Sequence, residues 1–450
     1  MKKTKKIPQE ILKGSSILLG NSAHKNRVQF MVENIEKNKA FLHEVQRNPN
    51  VDVKELSKKL AEKYSQYREN WDGQPRRLIQ SKDDLLNGAK DDAIPLCVDI
   101  EITSMCDLAC SFCYRESIAT PDKFMTEDLF KSLINQVAEI GVPSIKLNWR
   151  GEPLLHPKIA EFVAYAKEKG ILEVIINTNA TKLTPALSEK LIDAGIDFII
   201  YSFDGGTEAT YERMRPGRFE DNLFENVYEN IKQFHRLRET KGALLPRTKI
   251  QMILTKETYS EQDSFYSLFE DYVDEVTVTP YSERGGDIDV LTAKERSIYD
   301  HLIHVNNLPT GTPYLRDSNG NISVADSRKP CEQPFQRLMI TYDGRVAMCC
   351  YDWGAMHPVG YVDSSSFPDP HADKRVIIKN VLGGKRGFEL MSQVKLPPVF
   401  NTPELKVDKI LNIWWGKEIS KVRRAHVDGE VDAIEICKGC TFKDTYNWIN

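Results

Sequence analysis

The spacing of apolar positions changes along the chain, and each change predicts a different kind of element. In residues 1–90, Val28, Phe30, Met31 and Ile35, then Leu56, Leu60 and Tyr64, recur at helical intervals in a charged background, with Asn50 and Asp52 between the two groups. This predicts a helical extension packed on a main domain, rather than a peptide-binding module, which would need a strand pattern. From Pro95 to about Pro280, short apolar runs alternate with amphipathic stretches, as in successive βα units of a parallel sheet. Six strands are read at 96–102, 144–148, 172–177, 198–203, 249–254 and 275–279. The clearest helix starts after a Thr126 cap, places Phe130, Leu133, Ile134 and Val137 on one face, and stops at Gly141. On the first strand Cys97, Asp99 and Glu101 share one parity, and Val98, Ile100 and Ile102 the other. The polar parity either lines an interior and binds substrate, or it is solvated or salt-bridged.

Beyond a polar stretch, Leu338 to Thr341 and Arg345 to Met348 flank Tyr342-Asp343-Gly344, a hairpin signal. The expected organisation is an extension over 1–90, a βα domain over 91–285, a linker over 286–330 and a C-terminal domain over 331–450. The stretch 363–404, with Ser, Pro and Gly clusters, reads as an insertion. A chain of 450 residues with 41% hydrophobic content can bury a sizeable core. A formal net charge of −4 gives no footprint for nucleic acid or an acidic membrane. The basic start is interrupted by Gln9, Glu10, Lys13 and Gly14 before an apolar signal region can form, and no run approaches the roughly 20 apolar residues of a membrane span. The expectation is a cytoplasmic protein whose nine cysteines serve mainly as ligands rather than disulfides.

Three of those cysteines, Cys106, Cys110 and Cys113, follow the first strand with three and then two residues between them. Three thiolates can hold three irons of a four-iron cluster and leave the fourth open to a small-molecule chelator. A structural zinc site would want a fourth ligand nearby, and a disulfide would leave an odd thiol. With Phe112 before the third cysteine, the motif resembles the signature of the radical SAM superfamily. The resemblance implies a 4Fe-4S cluster whose open iron binds S-adenosylmethionine (SAM) through its amino and carboxylate groups. It also implies reductive cleavage of SAM to a 5′-deoxyadenosyl radical that abstracts hydrogen from a substrate. The fold it implies is α/β: a partial (β/α)6 TIM-like barrel with its site at the C-terminal strand ends, a helical N-terminal extension, and a small C-terminal iron-sulfur domain built on a β-hairpin.

Further residues resemble SAM-contacting positions. Gly151, Glu152 and Pro153 follow the second strand like the family's Gly-Gly-Glu-Pro element, with Arg150 in place of the first glycine. The third strand ends in Asn177 and Asn179, and the fourth in Ser202 and Asp204, with Arg215 beyond. Ser202 and Arg215 are expected at the SAM amino-acid moiety, with Arg213 as the alternative to Arg215. Asn179 and Asp204 could instead satisfy turn or helix-start amides.

Cys331, Cys349 and the pair Cys437 and Cys440 form a second set of thiols, enough to close one cluster, with Cys350 as the alternative to Cys349 and a four-cysteine zinc site as the alternative chemistry. Gly344 to Cys349 and Ile413-Trp414-Trp415 resemble the SPASM and twitch C-terminal domains of radical SAM enzymes. Too few cysteines remain for a further cluster, so the resemblance implies one auxiliary 4Fe-4S cluster. The leading expectation is an oxidoreductase acting on a sugar or cyclitol alcohol. The alternatives are a peptide-modifying enzyme or epimerase, with Cys350 or Cys97 returning a hydrogen atom, and a non-catalytic metal-binding module. Expected partners are a small-molecule or peptide substrate and a one-electron reductant such as flavodoxin or ferredoxin.

Overall fold

The computed structural model describes residues 17–18, 27–81, 93–110, 112–116, 118, 120–221, 223–255, 257–280, 314–316, 322–324, 330–367 and 399–440. The start of the chain, most of the 286–330 linker and most of the 363–404 insertion lie outside the described residues.

The extension contains strand β1 (Ile17–Leu18) and helices α1 (Arg27–Glu33), α2 (Lys39–Arg47) and α3 (Val53–Gln80). The barrel follows as β2 (Cys97–Ile100), α4 (Glu127–Ile140), β3 (Ser144–Lys146), α5 (Ile159–Glu168), β4 (Glu173–Thr178), α6 (Pro185–Ala194), β5 (Phe198–Ser202), α7 (Glu208–Met214), α8 (Phe224–Thr240), β6 (Arg247–Leu254), α9 (Gln262–Phe269) and β7 (Glu275–Pro280). The segment read as a polar linker contains an antiparallel pair, β8 (Tyr314–Arg316) and β9 (Ile322–Val324). The C-terminal part has α10 (Gln333–Gln336), β10 (Arg337–Ile340), β11 (Arg345–Ala347), β12 (Pro358–Tyr361), α11 (Ile410–Trp414), α12 (Lys417–Asp428) and α13 (Glu435–Lys438).

Strands β2 to β7 pair in parallel in chain order, the partial barrel. Their outward residues, among them Val98, Ile100, Ile145, Val174, Ile176 and Ile199, are fully buried under the helices. Helix α4 shows why the local pattern was readable. The Thr126 hydroxyl accepts from the Leu129 N–H, and Gly141, at φ +87°, takes the left-handed cap that side chains disfavour. Leu129, Phe130, Leu133, Ile134 and Val137 form the buried face between those two ends.

Two features of the sheet go beyond the expectation. The extension, read as helical in pattern, also contributes β1, which pairs antiparallel with β7. The C-terminal hairpin, read as the base of a separate small domain, extends the barrel sheet: β10 pairs in parallel with β2, Arg337 opposite Cys97 and Ile340 opposite Ile100, and β11 and β12 follow antiparallel. Among the described residues the sheet therefore has 10 strands, in the order β1-β7-β6-β5-β4-β3-β2-β10-β11-β12. Gly344, at φ +91°, turns the hairpin, and a Cβ there would fall 2.6 Å from Cβ of Asp363.

The extension covers the N-terminal ends of the strands. Glu173, at the start of β4, is buried and pairs with Arg27 while accepting from Tyr64 (2.7 Å), Tyr67 (3.0 Å) and Ser144 (3.2 Å) hydroxyls. Burial works against its charge, but Arg27, Arg68 and these donors outweigh it and hold the carboxyl below its ordinary range. With that end covered, the opposite end of the strands is left for chemistry, as in βα barrels generally.

Candidate active site

The loop carrying Cys106, Cys110 and Cys113 leaves the C-terminal end of β2 and is tied to its neighbours and to itself. The Asp107 carboxylate accepts from Nδ2 of Asn179 (2.8 Å) and from the Thr181 hydroxyl (2.6 Å). The Ala109 N–H donates to the Pro216 carbonyl (2.8 Å), and Nε of Arg115 to the Ser104 carbonyl (3.1 Å). Burial first, and Asp107 second, push the Cys106 thiol well above its ordinary range. An isolated thiol there stays protonated, whereas coordination to a cationic metal centre removes the proton.

Gly151 lies where the loop leaves least room. A Cβ on it would fall 2.3 Å from the Thr103 carbonyl oxygen and 2.5 Å from that of Met105, so only glycine lets this turn pack against the backbone of the cysteine loop. Glu152, which follows it, is already hydrogen-bonded within the protein. Its Oε1 accepts from the Thr178 hydroxyl (2.7 Å) and the Leu154 N–H (2.9 Å), its Oε2 from the Asn179 N–H (2.7 Å), and its own N–H donates to Met105. It locks the ends of β3 and β4 to the cysteine loop. Burial, then Asp107, push its carboxyl up to about 8, so a cation placed nearby would favour its ionised form. Pro153 opens the short 3₁₀ turn capped by Glu152.

Arg215 and Asp204 form one unit. Nε and Nη2 of Arg215 lie 2.7 and 2.6 Å from Oδ2 of Asp204, whose Oδ1 accepts from the Ile253 N–H. The same guanidinium stands 3.9 Å from Sγ of Cys110 and 5.6 Å from the Phe112 ring centroid. The guanidinium expected to face a SAM carboxylate is thus already anchored to Asp204 and held over the cysteine loop. Arg213 points elsewhere, to Glu257 at 2.7 Å. Asn179 uses Oδ1 for the Thr181 N–H in a local turn. Asn177 Oδ1 is buried without a hydrogen-bond partner among the described residues, an acceptor suited to a ligand donor. Ser202 ends β5 half-buried, in register with Gln251.

The polar parity of β2 lies opposite the residues packed under the helices, and it is buried and salt-bridged. Arg150 grips Glu101 with two bonds of 2.6 Å, and Arg337 of β10 pairs with Asp99 at 3.1 Å. Lys146, in register with Asp99, lies within electrostatic reach of Asp99, Arg337 and Cys350. Arg150 therefore has a partner that sequence reading missed, because Glu101 is distant in the chain.

The second thiol set gathers beside this site. Cys331, Cys349, Cys437 and Cys440 are all buried, Cys331 and Cys440 pack together, and Cys349 faces Cys437 and Cys440. Cys350 instead places Sγ 3.5 Å from Oε1 of Gln333 and within reach of Lys146 and Arg337. Two thiol-bearing loops are joined by aromatics: Trp149 donates to the Cys350 carbonyl (2.8 Å), and its ring lies 5.7 Å from Trp353, which lies 6.2 Å from Tyr114. His426, which no motif marked, touches both Cys331 and Cys437. Among the described residues no three His, Cys, Asp or Glu side chains are already arranged around a single metal ion. The donor types nevertheless suit iron-sulfur clusters: three thiols on one loop beside an anchored arginine suit an open four-iron cluster with SAM, and four buried thiols from neighbouring segments suit a closed one.

Residues 100–265 match the family model described as the radical SAM superfamily, and residues 331–376 match SPASM, an iron-sulfur cluster-binding domain. The AdoMet-dependent heme synthase of Methanosarcina barkeri is 38% identical over 132 residues, 29% of this chain and 37% of the relative. A cofactor-modifying protein for tungsten-containing aldehyde ferredoxin oxidoreductase, from Pyrococcus furiosus, is 28% identical over 165 residues, 36% of this chain and 44% of the relative. The matches thus span less than half of these curated relatives. Among solved structures, Streptococcus suis SuiB bound to precursor peptide SuiA matches with a TM-score of 0.46 and 15% identity, covering 88% of this chain and 79% of that one. No described helix is long and apolar enough to cross a membrane.

Proposed function

We propose, because the chain belongs to the radical SAM superfamily and carries a SPASM-type iron-sulfur domain, that it is an oxidoreductase acting on an alcohol carbon of a polar small molecule, a sugar or cyclitol, held inside the barrel. The observation that carries this reading is the pairing of β10 with β2, through which the four-thiol set and the three-thiol loop serve one interior. Cys106, Cys110 and Cys113 would hold the first cluster, and Cys331, Cys349, Cys437 and Cys440 the second. When bound, the first cluster and SAM supply a deoxyadenosyl radical that abstracts hydrogen. Gly151 lets its turn pack against the cysteine loop beside which SAM would bind, Arg215 would offer a carboxylate partner, and Asn177 would offer an acceptor. The charged inner face of Asp99, Glu101, Lys146, Arg150 and Arg337 suits a hydroxylated substrate. A fully ligated second cluster is suited to taking the electron released as the substrate is oxidised, and an external flavodoxin or ferredoxin would supply the initiating electron.

The test is anaerobic reconstitution, reduction and incubation with SAM and carbinol-deuterated sugars and cyclitols. Deuterium in 5′-deoxyadenosine together with a ketone product is expected. No deoxyadenosine above a Cys106→Ala control would reject radical chemistry, and deoxyadenosine without ketone from any such alcohol would reject the substrate class. A second reading, peptide modification or epimerisation, is favoured by Cys350, whose thiol lies within electrostatic reach of Lys146 and Arg337 on the inner face. It predicts that Cys350→Ala loses product in deuterated water while SAM cleavage persists.

A further inference from the structure

His426 lies in the last turn of α12, 2% exposed, between two thiol-bearing segments far apart in the chain. The Cys331 backbone N–H donates to its Nδ1 (3.2 Å), and its Nε2 stands 3.4 Å from Sγ of Cys437. The first bond fixes the ring. A nitrogen that accepts from an amide carries no proton, so the neutral imidazole bears its single proton on Nε2. That proton points at the Cys437 sulfur. Neither a charged ring nor the other tautomer is compatible with the Cys331 bond.

We propose that His426 is a positioning residue of the auxiliary cluster: it donates an Nε2–H···S hydrogen bond to the Cys437 thiolate and thereby holds the cluster's potential up. The inference rests on Cys331 and Cys437 being cluster ligands, as proposed above. Hydrogen bonds to ligating sulfur withdraw electron density from the thiolate and favour the more negative, reduced cluster. The same ring fixes the Cys331 backbone against α12, so one side chain sets both the spacing of two ligands and the acceptor strength of the centre. A cluster that must take an electron from a substrate radical gains driving force from such a bond. Burial of the ring keeps water from competing for the sulfur.

The test uses the reconstituted full chain carrying both clusters, with His426→Gln, His426→Asn and His426→Leu. Iron content, EPR-monitored redox titration and pulsed EPR with ¹⁵N-histidine are the readouts, and added SAM identifies the radical cluster by shifting its signal. Gln can place an N–H where Nε2 stands, so its auxiliary midpoint should match the parent. Asn, too short to reach the sulfur, and Leu should lower that midpoint while the radical cluster stays unmoved. A Leu variant with full iron and an unchanged auxiliary midpoint would overturn the proposal, as would nitrogen coupling strong enough for direct ligation. If Leu loses auxiliary iron, Gln decides: parent iron and midpoint support the hydrogen bond, and the same loss refutes it. A Cys437→Ala variant that keeps full auxiliary iron would overturn the ligand assignment instead.

Discussion

Replacing Arg150 by glycine would restore the residue that the family's Gly-Gly-Glu-Pro element has at this position, yet it should damage this protein. Glu101 has 0% exposure, and Arg150 supplies both of its short hydrogen bonds, at 2.6 Å each. Burial pushes the Glu101 carboxyl up, and the fixed guanidinium charge is what opposes that. Removing one partner of a buried ion pair costs about 3–5 kcal/mol, because the remaining charge is left uncompensated. The Tyr342 N–H, 3.3 Å from Oε2, is the contact left to Glu101 from the auxiliary hairpin, and it is too weak to replace a bidentate cation. The pH dependence follows from the sign of the shift. In Arg150→Gly the folded-state pKa of Glu101 rises further above its unfolded value, so the deficit is small below about pH 4, where both states are protonated, and grows as pH rises toward the folded pKa. Denaturant titration of the variant across pH 4 to 8 measures this, and Glu101→Gln combined with Arg150→Gly should recover most of the loss at neutral pH. A loss under about 1 kcal/mol, a deficit independent of pH, or no recovery in the double variant would refute the reasoning.

Gly151→Ala drives a methyl into the Thr103 and Met105 carbonyls and should abolish deoxyadenosine formation while leaving auxiliary iron in place, measured by iron assay and chromatography. Cys349→Ala should lose the auxiliary cluster and Cys350→Ala should keep it, since Cys349 lies within electrostatic reach of Cys437 and Cys440 while the Cys350 Sγ lies 3.5 Å from Oε1 of Gln333. Glu173 has a lowered folded pKa, so its contribution is present above its unfolded value and is lost as pH falls through the folded one. Glu173→Gln should therefore flatten the acid limb of a stability–pH curve below about pH 4.5 and cost a few kcal/mol at neutral pH.

Local signals were legible where a residue's neighbours in sequence are also its neighbours in space. The Thr126 cap, the Gly141 stop, the alternating parity of β2 and the Tyr342-Asp343-Gly344 turn each depend on a few consecutive residues, and the structure places them where those residues point. The cysteine loop was legible for the same reason. Partnerships were not. Arg150 reads as a departure from a glycine until Glu101 is seen beneath it, and nothing in the spacing ties Glu152 to Thr178 and Asn179.

The sequence by itself determined the chemistry on offer: three thiols on one loop, four more in a later set, and strands with one apolar and one polar face, because ligand type and side-chain parity are properties of short stretches. Tertiary structure alone decided how those parts meet. That β10 joins β2, that Arg215 is anchored to Asp204, and that His426 bridges Cys331 and Cys437 all depend on strand register and helix packing between distant segments. Burial then sets how strongly each charge and hydrogen bond acts, and no spacing along the chain encodes it.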